Sequence, residues 1–288
     1  MIEWFTGLSH VVQALLATIF TWSVTALGAG VVFIFKRMNK TALDAMLGFA
    51  GGVMIAASFW SLLSPSIEMA ASLGLNAWVC AAIGFMGGGI FLFCGDKLFE
   101  RMSARSAGLD LHKRSAMLVL SITLHNIPEG LAVGVAFGSL NYGLDGATLS
   151  AACMLALGIG LQNFPEGTAV SVPLRREGMS RLKAFTIGQL SGIVEVAAGV
   201  VGAALVMGVR LLLPFFLAFA AGAMIYVVIE ELIPESQTNE NKAMMALFTL
   251  VGFSVMMIMD VALGSYGFAG APPLQPRRGT LHPPRTPV

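Results

Sequence analysis

Two segments of the chain are near-copies, and each sets polar residues inside a long apolar stretch. Leu124–Phe137 reads LHNIPEGLAVGVAF and Leu161–Leu174 reads LQNFPEGTAVSVPL; the offset is 37 residues, and 8 of 14 aligned positions are identical. His125 and Glu129 are spaced i, i+4 and share one helix face, as do Gln162 and Glu166. Asn126 and Asn163 sit one step round from that face. Pro128 and Pro165 are interior helix prolines, each removing an amide donor and freeing the carbonyl four residues back. Gly130 and Gly167 are expected to leave room beside the glutamates. Imidazole nitrogen, carboxylate oxygen and amide oxygen together suit a divalent first-row metal such as Zn²⁺, Fe²⁺ or Mn²⁺. The frame holds no thiolate, which fits a site that loads and unloads its ion.

A third acid, Glu195, follows Gly188-Gln189-Leu190-Ser191-Gly192-Ile193-Val194 near the middle of another apolar run. A charged residue at mid-membrane costs about 2.5–3.5 kcal/mol, so three ionised glutamates facing lipid would cost on the order of 8–10 kcal/mol. No Lys or Arg lies at mid-depth in these runs to pair with them. They must line a shared polar interior, carry protons or face a cation. One His/Glu pair could be a structural hydrogen bond; its near-repetition argues against that. On composition Met54 and the other methionines are packing residues. Of the acids near span ends, Glu68 and Asp260 are expected at the outer face, and Asp44, Asp96, Glu230 and Glu231 at the inner face. Such acids are ordinarily just wetted, with Glu230-Glu231 the better candidate for an exit vestibule.

The composition says what must hold these groups. Of 288 residues 56% are hydrophobic and 11% charged, against about 25% charged in soluble domains. The chain is therefore predicted to be an all-α integral membrane protein. Its eight candidate spans are 9–35, 42–66, 75–95, 115–139, 147–173, 184–207, 211–233 and 242–264, the fourth and fifth pseudo-symmetric. Glycine sets such as Gly87-Gly88-Gly89 and Gly48, Gly51 and Gly52 would let helices approach closely. Lys36, Arg37 and Lys40, then Lys97, Arg101, Arg105, Lys113 and Arg114, then Arg175, Arg176, Arg181 and Lys183, and finally Lys242 follow the odd-numbered spans; the even-to-odd loops hold only Arg210. The positive-inside rule puts the basic loops in the cytoplasm and both termini outside. Residues 1–265 form the transmembrane domain, and the Pro/Arg-rich 266–288 reads as a disordered tail. A net charge of +1 without a basic, aromatic-interleaved stripe excludes a nucleic-acid partner. Cys80, Cys94 and Cys153 lack CxxC spacing and read as small buried hydrophobes.

At these motifs the chain resembles the zinc/iron permease (ZIP) family, in particular its prokaryotic GufA-like branch, across all eight spans. His125-Asn126-x-Pro128-Glu129-Gly130 matches the family signature closely, and Gln162-Asn163-x-Pro165-Glu166-Gly167 less fully, since relatives often carry His or an acid in its first two places. The resemblance implies a primary metal position from His125, Glu129, Gln162 and Glu166, with Met54 offering a thioether. It implies an adjacent metal position from Asn126, Glu129, Asn163, Glu166 and Glu195. It further implies zinc as the transported substrate, with iron, manganese or cadmium as further candidates, and movement into the cytoplasm across a bacterial inner membrane. A homodimer is implied, as is the sliding of helices 1, 4, 5 and 6 against helices 2, 3, 7 and 8. The family's His-rich cytoplasmic loop is missing, His112 standing alone. A membrane metalloprotease would want HExxH, which the chain lacks, so no enzymatic role is expected. A proton-coupled carrier of a non-metal solute is the other rival, and it predicts proton flux without metal.

Overall fold

The computed structural model describes residues 2–34, 39–105, 110–143, 147–176, 178–206 and 210–264, and every regular element among them is helical. After a short segment, Ile2–Thr6, come α1 (His10–Ile34), α2 (Lys40–Ser72), α3 (Ala77–Arg105), α4 (Asp110–Ser139), α5 (Leu149–Arg176), α6 (Arg181–Val206), α7 (Leu213–Ser236) and α8 (Lys242–Ala262). Among the described residues, six of these — α1, α2, the Ala77–Leu98 part of α3, α6, α7 and α8 — are long and apolar enough to cross a membrane. The two that carry the duplicated frame, α4 with 30 residues and α5 with 28, exceed a bilayer core of ~30 Å at about 1.5 Å per residue. The chain is an integral membrane protein built as a helical bundle.

The ends of the helices follow local chemistry. Asn39 accepts from the Thr41 amide to start α2, Ser180 from Lys183 to start α6, and Asn241 from Met244 to start α8; each replaces a donor's lost intrahelical partner. Pro214 sits in the first turn of α7, where its missing N–H costs nothing. Helices α3 and α4 extend past the expected span ends, to Arg105 and from Asp110. Much of the basic stretch between them therefore continues the helices. The expected sixth span is one span, Arg181–Val206, with a local interruption where Arg181–Ser191 and Ile193–Val206 meet at Gly192.

Packing divides the helices into pairs. The most extensive contacts are α4 with the second half of α6, α1 with α5, α3 with α7 and α2 with α8; α1 also touches α4 and α6, while α2–α5 and α7–α4 join the two sets. Glycine makes the close approaches, as Gly48, Gly52 and Gly88 illustrate: a Cβ at Gly52 would strike the Thr249 carbonyl, and one at Gly88 the Phe219 carbonyl. Between helices with no hydrophobic drive toward one another, such backbone contact supplies the packing.

One acid departs from expectation. Asp44, expected to be a wetted span end, is 1% exposed. Its Oδ2 accepts from Asn239 Nδ2 at 2.9 Å, and the same amide reaches Thr41 Oγ1 at 3.3 Å. The carboxylate thus anchors the turn between α7 and α8 to the start of α2.

Candidate metal site

The two frames lie side by side in the bundle. Glu129 and Glu195 are 0% exposed and Glu166 1%, so all three carboxylates are withdrawn from solvent and lipid. Asn126, Gln162, Asn163 and Met54 are fully buried with them. Pro128 and Pro165 lie inside unbroken helices, as expected. His125 belongs to α4; its side chain lies outside the described residues, as does the tail from 265 onward.

Amides link the acids. Gln162 Nε2 donates to Glu129 Oε1, joining α5 to α4. Asn163 Nδ2 donates to Glu195 Oε2 at 2.9 Å, joining α5 to α6. Among the described side chains no group of three or more His, Cys, Asp and Glu is arranged to hold a metal; the acids are interleaved with amides. The carbonyl oxygens Asn126 Oδ1, Gln162 Oε1 and Asn163 Oδ1 are buried and accept no hydrogen bond among the described residues. A buried amide oxygen without a donor costs free energy unless another group, such as a cation, meets it.

The tertiary structure also explains why the frame contains Asn and Gly four residues apart. Asn126 Nδ2 donates to the Ser191 carbonyl at 2.8 Å, and a Cβ at Gly130 would strike the Glu195 carbonyl. Asn163 Nδ2 donates to the Thr21 carbonyl at 3.2 Å, and a Cβ at Gly167 would strike the Thr25 carbonyl. Each frame therefore docks on two carbonyls one turn apart, α4 onto α6 and α5 onto α1. The break at Gly192 serves this docking, because the Glu195 amide turns to the Gly192 carbonyl at 3.1 Å and leaves Ser191 to Asn126. The expected room beside the glutamates is thus filled by neighbouring backbone. The glycines bring α6 and α1 up to the acids. The repeat is visible in the sequence and this pairing is not; the Asn-x-x-x-Gly spacing, one turn apart on one face, is the trace it leaves there.

An opening reaches the acids from one end of the bundle. At the end where α2 begins and α5 finishes, a cavity of about 360 Å³ is lined by Glu166 together with Leu43, Ala169, Glu230, Glu231 and Glu235. Lys40, Arg175, Arg176 and Lys242 mark that end as the basic one. At the opposite end the gap beside Ser61, Pro65, Ser139 and Thr148 is only about 10 Å³, room for one water at most. There Ser61 Oγ donates to Asp260 Oδ1 at 2.8 Å, tying α2 to the end of α8.

The chain matches the family model described as ZIP zinc transporter over residues 100–260. It is 39% identical to zinc transporter ZIP11 of Homo sapiens, over 90% of this chain and 99% of that protein. It is 36% identical to zinc transporter ZIPB of Bordetella bronchiseptica, over 88% and 82%, and 33% identical to zinc transporter GufA of Myxococcus xanthus, over 87% and 98%.

Proposed function

The chain belongs to the ZIP zinc transporter family, and from that premise we propose that it carries zinc into the cytoplasm through the site on α4, α5 and α6. Iron, manganese and cadmium ions accept the same donors and are the further candidate substrates. His125, Glu129, Gln162 and Glu166 hold the ion, with the Met54 thioether beside them. Asn126, Asn163 and Glu195 border that position as the adjacent shell. The carrying observation is the burial of Glu129, Glu166 and Glu195 within one amide-linked cluster. In a low-dielectric interior such a cluster is tolerable when a cation neutralises it.

The direction of movement rests on the cavity. A cavity that runs from Glu166 to Glu230, Glu231 and Glu235 at the basic end suits release to the cytoplasm. The acids along it hand the ion on without holding it tightly. Both termini then lie outside, in a bacterial inner membrane. The protein works as a dimer in which α1, α4, α5 and α6 slide against the remaining helices, the α2–α5 and α7–α4 contacts being the surfaces that shift. The ion is cargo.

Uptake by proteoliposomes loaded with a metal-sensitive dye tests this reading. Wild-type protein is expected to admit Zn²⁺, and His125→Ala and Glu166→Ala to abolish entry while eluting and melting as folded protein. Normal uptake by both variants would remove the site assignment.

A further inference from the structure

We propose that the backbone carbonyl of Ala169, released by Pro173, is an oxygen ligand that the departing dication meets between Glu166 and the acids of the inner cavity. This rests on the transport reading above and deepens it.

The starting point is a place where the repeat fails. Pro173 on α5 stands where α4 has Ala136. The two helices are consecutive spans, so these equivalent positions lie at opposite ends of the bundle. Ala136 lines the gap of about 10 Å³ beside Ser61, and Pro173 lines the cavity of about 360 Å³ that reaches Glu166. Helix α5 continues through Pro173 to Arg176. Proline has no amide hydrogen, so the Ala169 carbonyl loses its donor four residues on, and the ring pushes that carbonyl out of line. In α4 the residue at this place is alanine, whose amide remains for the Ala132 carbonyl.

The released oxygen lies where an ion leaving Glu166 would pass. Glu166, Ala169 and Pro173 are spaced i, i+3 and i+7 on one face of α5, and all three line the cavity. Both ends of the missing hydrogen bond therefore border the same space. Ala169 stands about 4.5 Å along the helix from Glu166, on the side away from the metal frame.

The lining suits a cation. Its charged groups are all glutamates, Glu230, Glu231 and Glu235 besides Glu166, and among the described residues no Lys or Arg borders it. Water fills a space of this size and keeps the carbonyl solvated until the ion arrives. Acceptors facing acceptors attract a positive ion between them. A carbonyl adds a dipole without a charge, so it holds a dication more loosely than a carboxylate and lets it move on.

Replacing residue 173 in the full-length protein tests this, with Zn²⁺ uptake read in proteoliposomes and Zn²⁺ binding read by equilibrium dialysis in lipid nanodiscs. Pro173→Ala returns the amide and engages the Ala169 carbonyl. It is expected to lower the maximal uptake rate on the order of tenfold. It should bind Zn²⁺ at equilibrium as wild type does, and melt no lower, since α5 gains a hydrogen bond. Lactic acid incorporated in place of Pro173 gives an ester link with neither ring nor N–H, which leaves the carbonyl released; uptake should return to the wild-type rate. Wild-type uptake by Pro173→Ala would overturn the proposal. Slow uptake by the lactic acid protein would do the same, because the bend and not the oxygen would then set the rate. Lost equilibrium binding in Pro173→Ala would also overturn it, by making Pro173 a support of the primary site. Should the lactic acid protein not fold, the rate and binding of Pro173→Ala decide. If wild type holds no Zn²⁺ that Glu166→Ala loses, the transport reading itself fails, and this inference with it.

Discussion

Gly130→Ala should damage metal handling without touching any candidate ligand. The hydrogen it replaces faces the Glu195 carbonyl of α6, and nonbonded carbon contacts need about 3.5 Å. Accommodating the methyl group forces α4 and α6 apart by roughly 1 Å at the level of the acids. Glu129 lies next to the substituted residue, and Glu195 owns the carbonyl that must retreat. The displacement therefore falls on the geometry that aligns both carboxylates. Changes of this supporting kind typically cost about 10–100-fold in metal affinity, or roughly 1.4–2.7 kcal/mol. Overpacking costs about 1–3 kcal/mol of stability, which should leave the protein folded at a lower melting temperature. Cd²⁺ binding isotherms in nanodiscs and Zn²⁺ uptake in proteoliposomes read the effect. Gly95→Ala is the control, because a Cβ there meets nothing within 4 Å, and it should behave as wild type. If Gly130→Ala binds and transports within twofold of wild type, the claim that backbone contact positions the acids is refuted.

Two further outcomes follow from other parts of the molecule. Metal must displace protons from His125 and the glutamates, so Zn²⁺ uptake should fall steadily as external pH is lowered from about 8 to about 5; a flat profile measured with the same dye would count against carboxylate and imidazole ligation. Asp44→Ala leaves the Asn239 amide without its carboxylate in a buried turn, at a cost of about 1–3 kcal/mol. It should lower the thermal midpoint in detergent while Cd²⁺ stoichiometry stays unchanged, whereas an unshifted midpoint would show that the α7–α8 turn needs no such anchor.

Much of this protein is legible in its residues alone. Apolar runs of about 20 residues are too long for barrel strands and can only satisfy their backbone in lipid as helices, and the loops carrying Lys and Arg mark one end of the bundle. The i, i+4 spacing of His125 with Glu129 and of Gln162 with Glu166 puts donors on one face of each helix, because 3.6 residues per turn permits nothing else. What spacing cannot reveal is the surface across from a face. An asparagine amide has a donor edge and an acceptor edge, and only the Ser191 and Thr21 carbonyls brought up by α6 and α1 decide which edge turns inward. A glycine beside a glutamate reads equally well as space for an ion or as a helix crossing until the neighbouring backbone is in place. Asp44 read as a wetted helix end until Asn239, far along the chain, covered it. Periodicity is local and fixes faces; the partners of those faces are separated by long stretches of sequence, so only the folded bundle determines them.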